Sequence, residues 1–340
     1  MGQSLVPYIR QYADLDKEVD SYRRGELSEF TISHYYYVWR LFIAFMGSKD
    51  VWKADSNDIA RWMVSRVRKG VTPRTIYRDL GGINYYFEVL GKGANHGKPG
   101  KGTRISPTRD DLIRRVMRGM HRKHGRPMER KTPLLLDSLE KMLDQEPNDH
   151  VRGIRNKAIL ALAWGAALRV NETRMLDVTP EGNGMGWVEI SDDGVLVHLR
   201  RSKANRYGKR KEIYAVPART GAPKYCPVRL LRQWLKASGH ASGPLFLPVG
   251  TSRVPRDGRL HRGTIRALVK RAARAIGLDV SHVGGQSLRA GCLTWLAMQQ
   301  VNIYKIQDHS GHRDIRNLID YIRKPKSAKD SALTGTRWTV

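Results

Sequence analysis

Residues 311–325, GHRDIRNLIDYIRKP, constrain the architecture of this chain more than any other stretch. They place His312 nine residues before Tyr321, and Arg323 and Lys324 follow closely. On one unbroken helix, nine residues turn through about 900°, which puts His312 and Tyr321 on opposite faces. Either the two are unrelated and Tyr321 is an ordinary packing or surface residue, or the chain bends between them and aims both at one target.

Composition narrows the choice of target. The chain has 340 residues, with 61 Lys and Arg against 32 Asp and Glu, a net charge of +29. So basic a chain is expected to bind a polyanion, and nucleic acid is the first candidate. No apolar run of about 18 residues predicts a membrane span, and we expect no signal peptide. Cys226 and Cys292 form neither a disulfide framework nor a zinc pattern, so we expect a cytoplasmic protein that acts on DNA or RNA.

The first part of the chain, residues 1–124, is predicted to be a helical DNA-binding domain. In VTPRTIYRDLGGINYYFEVLG, residues 71–91, Thr72 suits an N-cap and Pro73 the first helical position. Arg74 and Arg78 lie about 160° from the apolar stripe of this helix, so we expect them to contact DNA. A solvated charged face is the alternative. The stripe consists of Ile76, Leu80, Ile83 and Phe87.

SPTRDDLIRRVMRGMHRKHG, residues 106–125, predicts a second helix of the same kind. Thr108 and Asp111 have the spacing of a capping box. Arg114 and Arg118 lie outside the apolar stripe and are further candidates for DNA contact, with the same alternative. The stripe is expected to bury Ile113, Val116, Met117 and Met120.

GKGANHGKPGKGT, residues 91–103, resembles a phosphate-binding loop but does not fit one. Gly91 and Gly97 have five residues between them where the P-loop has four, and Pro99 stands where Ser or Thr would bind magnesium. We therefore expect a Gly- and Lys-rich connecting loop and no ATP site.

The rest of the chain is predicted to be a second domain, residues 134–325, after a basic linker at 125–133 that contains Pro and Gly. Helical patterns surround three short strand-like runs at 187–190, 195–201 and 211–216. Asp193-Gly194 predicts a hairpin turn between the first two. The fold class is therefore mainly α with a small antiparallel β-sheet in the C-terminal domain.

Arg169 ends an apolar helix in GAALRVNE, residues 165–172, and needs an anion. Asn171 suits the N-cap of a following helix, and Glu172 could anchor the Arg169 guanidinium.

Lys203 follows the second predicted strand, beside a Gly/Asn turn. Gln286 and Arg289 lie three residues apart on the first turn of a predicted helix, whose positive dipole end favours phosphate. Each residue alone is a weak signal in so basic a chain, but the ordered set is specific.

This ordered set resembles the catalytic domain of the tyrosine recombinases, the family of phage integrases and Cre, over about 190 residues. The helical first domain is similar to the family's core-binding domain in pattern only, and together the two would clamp a DNA duplex. One departure is Gln286, where the family has His or Lys, because Gln carries neither charge nor proton. His282, four residues earlier, is a weaker candidate for that role. The matching positions are Arg169, Glu172, Lys203, Gln286, Arg289, Gly311, His312 and Tyr321.

The resemblance implies a role for each matched position and no cofactor, metal or ATP. Tyr321 would attack the phosphodiester and form a 3′-phosphotyrosyl link, and Lys203 would protonate the departing 5′-oxygen. The chain would then break around residues 314–317, so that His312 and Tyr321 meet at one phosphate. The transition state would be stabilised by Arg169, Arg289, His312 and Gln286.

Two alternative functions stay open. The chain could be a catalytically weak or inactive DNA-binding protein of this fold, or it could be a related type IB topoisomerase or telomere resolvase. The expected partner is double-stranded DNA at a specific site, with no membrane contact. The family also implies a homotetramer on two sites, with a dimer on each. The tail, residues 326–340, is expected to dock on a neighbouring protomer, with a frayed end as the alternative.

Overall fold

A computed structural model describes residues 27–90, 106–127, 129–200, 212–250 and 254–319. The chain divides into two compact units, Met1–Met128 and Glu129–Val340, and each has its own hydrophobic core. Four predicted features lie outside the described residues: the loop at 91–103, Lys203, Tyr321 and the tail at 326–340. In the described part of the chain, no helix is both long and apolar enough to span a membrane.

The first unit is helical where it is described. Thr72 caps α3 by accepting a hydrogen bond from the Thr75 amide at 3.3 Å, and Pro73 is its first residue, as predicted. The predicted apolar stripe of α3 is buried. The helices are α1 (Glu29–Met46), α2 (Ser56–Arg68), α3 (Pro73–Tyr85), which continues as a π-helical turn (Tyr86–Leu90), and α4 (Asp111–His124).

The predicted Thr108–Asp111 capping box is wrong. Thr108 lies in a separate 3₁₀ turn, Pro107–Arg109, and its hydroxyl donates to Asn84 Oδ1 at 3.0 Å. Asp110 caps α4 instead, accepting from the Leu112 amide at 2.8 Å. A partner 24 residues away in the sequence therefore takes the hydroxyl that the box would have used.

The second unit surrounds one central helix, α6, almost all of which is buried. Gly291 lets α10 approach the segment before α5, because a Cβ there would lie 1.7 Å from the Leu134 carbonyl oxygen. The Trp164 indole on α6 donates to the same carbonyl at 2.8 Å. The helices are α5 (Leu136–Gln145), α6 (Val151–Gly165), α7 (Val170–Arg174), α8 (Pro227–Ser238), α9 (Arg262–Ala275), α10 (Ser287–Met298), α11 (Ile303–Ser310) and α12 (Ile315–Ile319).

A small sheet packs beside these helices, and its strand order is β1-β2-β3-β4. The three predicted strands are antiparallel neighbours, and the predicted turn residue Gly194 is also the first residue of β3. The sequence does not predict β1, which pairs parallel to β2 and makes the sheet mixed. The strands are β1 (Leu176–Asp177), β2 (Gly186–Ile190), β3 (Gly194–Leu199) and β4 (Glu212–Pro217).

Strand β1 depends on a buried ion pair rather than on a sequence pattern. Asp177 is fully buried and lies 2.5 Å from the Arg259 guanidinium, 82 residues later. A strand of two residues is too short to show the alternation of apolar and polar residues by which strands are predicted. The sequence around β1 therefore does not reveal it, and its contact with Arg259 is visible only in the folded chain.

Candidate active site

The end of α6 reverses sharply and presents Arg169 in an extended conformation. The Leu168 amide donates to the Ala163 carbonyl at 2.9 Å, and the Ala167 amide donates to the Trp164 carbonyl at 3.0 Å. These two bonds form a Schellman motif. Ala167 occupies its left-handed position with φ +47°, where glycine is usual and another residue costs about 1–2 kcal/mol.

Arg169 is held by Glu172, as the sequence predicts. The Arg169 guanidinium lies 2.6 Å from one carboxylate oxygen of Glu172, and the Arg169 amide donates to the other at 2.8 Å. Glu172 is buried, so these charge-assisted bonds fix the guanidinium in direction. Asn171 is not the N-cap of α7, because Arg169 occupies that position and Glu172 closes the first turn.

Arg289, on the first turn of α10, is only 2% exposed. Its Nη1 donates to the Ala167 carbonyl at 2.5 Å, and its Nη2 donates to the Ser310 carbonyl at 2.5 Å. Its Nη2 also lies 3.2 Å from His312 Nε2. One guanidinium thus joins the end of α6, the start of α10 and the end of α11.

His312 follows a break in the helical path. Gly311 ends α11 with φ +62°, and α12 begins only after Asp314. The chain therefore does bend after His312, but the break lies at residues 311–314, earlier than the predicted 314–317. Gly311 also has no room for a side chain, since a Cβ would lie 2.2 Å from the Tyr214 hydroxyl.

The His312 ring is buried in a positive environment. Burial, followed by the charges of Arg289 and Arg169, lowers the pKa of His312 to about 3. The Ser310 hydroxyl lies 2.7 Å from its Nδ1 and fixes the ring. His312 is therefore neutral at pH 7, and two arginines supply the positive charge of the site.

Gln286 is the residue directly before α10, one turn ahead of Arg289. Its Oε1 is buried, and no described residue hydrogen-bonds to it. The His282 side chain is half exposed, and its Nδ1 lies 3.8 Å from a carboxylate oxygen of Glu129.

Arg174, Arg259 and Arg262 are three neighbouring cations that sequence reasoning did not single out. Burial and the charges of Arg259 and Arg262 lower the pKa of Arg174, so these three cations lie close together. Arg174 is on α7, the helix that follows Arg169. No periodic pattern marks them among 61 basic residues, and only the folded chain brings them together.

The other predicted DNA contacts belong to the first unit. Arg74 and Arg78 on α3, and Arg114 and Arg118 on α4, have exposed side chains. Two of them have acidic neighbours: Arg78 lies 3.6 Å from Asp79, and Arg114 lies 3.4 Å from Asp111. Among the residues that the structure describes, no three His, Cys, Asp or Glu side chains are grouped as metal ligands.

Two fixed arginines around a neutral histidine form a cationic site in a mainly helical unit with a small sheet, and such a site suits an anion such as a phosphate. Residues 134–327 match the model of the phage integrase family. The chain belongs to this family and is a tyrosine recombinase, an enzyme of site-specific DNA strand transfer.

Curated relatives and solved structures agree with this assignment. The chain is 27% identical to an integrase/recombinase XerD homologue of Selenomonas ruminantium, over 70% of this chain and 67% of that protein. It is 21% identical to recombinase Cre of Escherichia phage P1, over 84% of each chain. Its fold resembles a lambda integrase dimer bound to a COC′ core site, with a TM-score of 0.60, 14% identity, and coverage of 97% of this chain and 85% of that one.

Gly311→Ala is expected to destabilise the protein for two separable reasons. The left-handed backbone costs about 1–2 kcal/mol, and the new methyl group displaces the Tyr214 hydroxyl. Adding Tyr214→Phe should recover the second part and not the first. Denaturant unfolding of both single variants and the double variant measures this coupling, and strictly additive effects would show that the hydroxyl does not meet the methyl group.

The lowered pKa of His312 predicts a pH-dependent stability. An unfolded histidine takes up a proton near pH 6.5, whereas the folded one stays neutral until about pH 3. The contribution of His312 is therefore fully present above about pH 6.5 and is lost as pH falls toward 3. His312→Gln should remove this part of the pH dependence, on the order of 1–3 kcal/mol between pH 7 and 4 in denaturant unfolding. Parallel curves for the two proteins would contradict the burial of a neutral ring.

Proposed function

We propose that this recombinase cleaves and rejoins duplex DNA at a specific site through Tyr321, and that it needs neither metal nor ATP. The observation that supports this most is the convergence of Arg169, Arg289 and His312, three segments of the chain, on one small volume. Such a cationic volume suits a phosphate group.

The two guanidiniums are suited to the charge of a pentavalent phosphate. Arg289 is fixed by two carbonyls and Arg169 by a buried carboxylate, so neither has to reorganise when charge develops. Preorganised donors of this kind are the largest source of rate enhancement in many enzymes. His312 adds a neutral donor or acceptor, because an imidazole without charge carries one of each.

The chemistry uses two residues beyond the described part of the chain. The Tyr321 oxygen forms a bond to phosphorus while the bond from phosphorus to the 5′-oxygen breaks, and Lys203 gives that oxygen its proton. The phosphotyrosyl link replaces one phosphate ester with another, so a second strand's 5′-hydroxyl can reverse the step without ATP.

The DNA itself would be held by both parts of the chain. Residues 1–124 form a DNA-binding domain, residues 125–133 a linker, and residues 134–325 the catalytic domain. Arg74, Arg78, Arg114 and Arg118 contact phosphates, and exposed arginines on two neighbouring helices support this role.

We further propose a homotetramer on two DNA sites, a dimer on each. A lambda integrase tetramer bound to a Holliday junction has a related fold, with a TM-score of 0.58, and it supports this assembly. Residues 326–340 dock on a neighbouring protomer.

Tyr321→Phe removes the attacking oxygen only. It should abolish covalent protein–DNA complexes on a library of nicked suicide duplexes, while DNA affinity stays within a few fold. Tyr304→Phe is the matched control, because Tyr304 is 67% exposed on α11. This variant should cleave DNA as the unchanged protein does. Covalent complex in Tyr321→Phe, measured on a denaturing gel, would assign the nucleophile elsewhere.

Gln286 and Arg289 should differ in their share of transition-state stabilisation. Gln286→Ala removes one neutral donor and should cost about 1–3 kcal/mol, or roughly 10- to 100-fold in cleavage rate. Gln286→His should be tolerated or faster, since an imidazolium gives a stronger bond to phosphate. Arg289→Ala should cost far more than either, because it removes a full charge.

Single-turnover cleavage of a suicide duplex gives the order of these variants, and Arg289→Lys keeps the charge while removing the planar fork. A silent Gln286→Ala would mean that the amide faces away from the phosphate. If Gln286→Ala instead loses activity as completely as Arg289→Ala, the Gln286 amide has a role beyond one hydrogen bond to phosphate.

A further inference from the structure

A cavity of about 540 Å³ lies in the second unit, separate from the candidate active site. Its walls come from α5, α6, α8 and the 3₁₀ turn Pro223–Tyr225. Neither Arg169, Arg289 nor His312 lines it. Its volume is in the range of small-molecule sites.

The lining of this cavity is strongly positive. Four cations, Lys157, Lys224, Arg229 and Lys236, face one carboxylate, Asp144, which leaves three net positive charges. Asp144 is already occupied, because it accepts from the Tyr225 hydroxyl at 2.7 Å and from Lys224 at 3.2 Å. The cavity therefore contains more positive charge than its own residues neutralise.

Lys157 is the most informative of the four, because it is only 8% exposed. Its ammonium has three donors, and the one acceptor that the described residues provide is the neutral Asn148 Oδ1 at 2.6 Å. Burial lowers the pKa of Lys157, the charges of Asp144 and Glu146 partly oppose that shift, and the Lys224 charge adds to it. An anion in the cavity would supply the further acceptors that the other two donors of this ammonium can use.

The wall formed by α8 presents donors in a row. Arg229, Gln233 and Lys236 recur at i, i+4 and i+7, which places them on one face of the helix. In the described part of the chain, no side-chain hydrogen bond occupies any of the three. Leu143, Ile154 and Leu230 add an apolar wall to the same cavity.

We propose that this cavity binds a small phosphorylated molecule, with two or more linked phosphates on an organic group that has an apolar face. Phosphates suit the site because each brings more charge and more acceptor oxygens in a given volume than a carboxylate does. The apolar wall contacts the organic group. Tyr225 is not a stacking platform, since the Lys224 ammonium and the Arg219 guanidinium lie 4.5 and 5.7 Å from its ring centroid.

Calorimetric titration of the full chain with inorganic tripolyphosphate, and then with ATP, tests this site at fixed ionic strength. One saturable site per chain is expected, and ATP should bind more tightly because its organic group meets the apolar wall. Arg229→Gln with Lys236→Gln should weaken both ligands by at least about tenfold, the loss expected for one or two charge-assisted bonds. Lys157→Met, which keeps the side-chain volume, should weaken them as well.

The matched control is Lys270→Gln with Arg274→Gln, which removes the same charge from exposed positions of α9 outside the cavity. This control should change the dissociation constants by less than about twofold. An equal loss in the control would assign the binding to the general charge of the chain and overturn the site. The absence of saturable binding would also overturn the site. So would hexaglutamate that binds as tightly as tripolyphosphate.

Discussion

The burial of the Arg289 guanidinium is the interaction on which the second unit is organised. A buried cation is tolerated only where hydrogen-bond acceptors replace the water that it has lost. The Ala167 and Ser310 carbonyls replace it here, and they lie 122 and 21 residues from Arg289 in the sequence. The end of α6, the start of α10 and the end of α11 can therefore meet only in one arrangement. That arrangement also places His312 beside the guanidinium.

Two of the acceptors around Arg289, the Ala167 and Ser310 carbonyls, are dipoles and not charges. Arg169 is different, because Glu172 neutralises it while holding it in place. His312 contributes no charge at neutral pH, since burial and both arginines oppose its protonation. Two guanidiniums and a neutral imidazole thus lie together, and such an arrangement suits an anion. The contacts of this one buried cation therefore both join the three helix ends and position the cationic groups of the candidate site.

Features governed by residues close in sequence could be predicted, and features governed by distant ones could not. The cap at Thr72, the hairpin after Asp193 and the Arg169–Glu172 pair all depend on neighbours within about four residues, and all three are present. The Thr108 cap failed because Asn84 binds its hydroxyl, and strand β1 was missed because Arg259 holds Asp177. The motif of the family indicated which residues belong to the site, but not that Ser310 and two backbone carbonyls hold them.

Ala167 shows how a local cost and a distant contact stabilise each other. Its left-handed backbone is unfavourable for a residue with a Cβ, and alone it would let the end of α6 relax. That same backbone directs the Ala167 carbonyl toward Arg289, and a buried guanidinium that lost this acceptor would also be unfavourable. Each feature is costly without the other, so the two form together or not at all. The strained turn at Ala167 and the buried Arg289 therefore form a single cooperative element, and Arg169 follows Ala167 by two residues. That element and the bonds from Glu172 together set the direction of Arg169 after the end of α6.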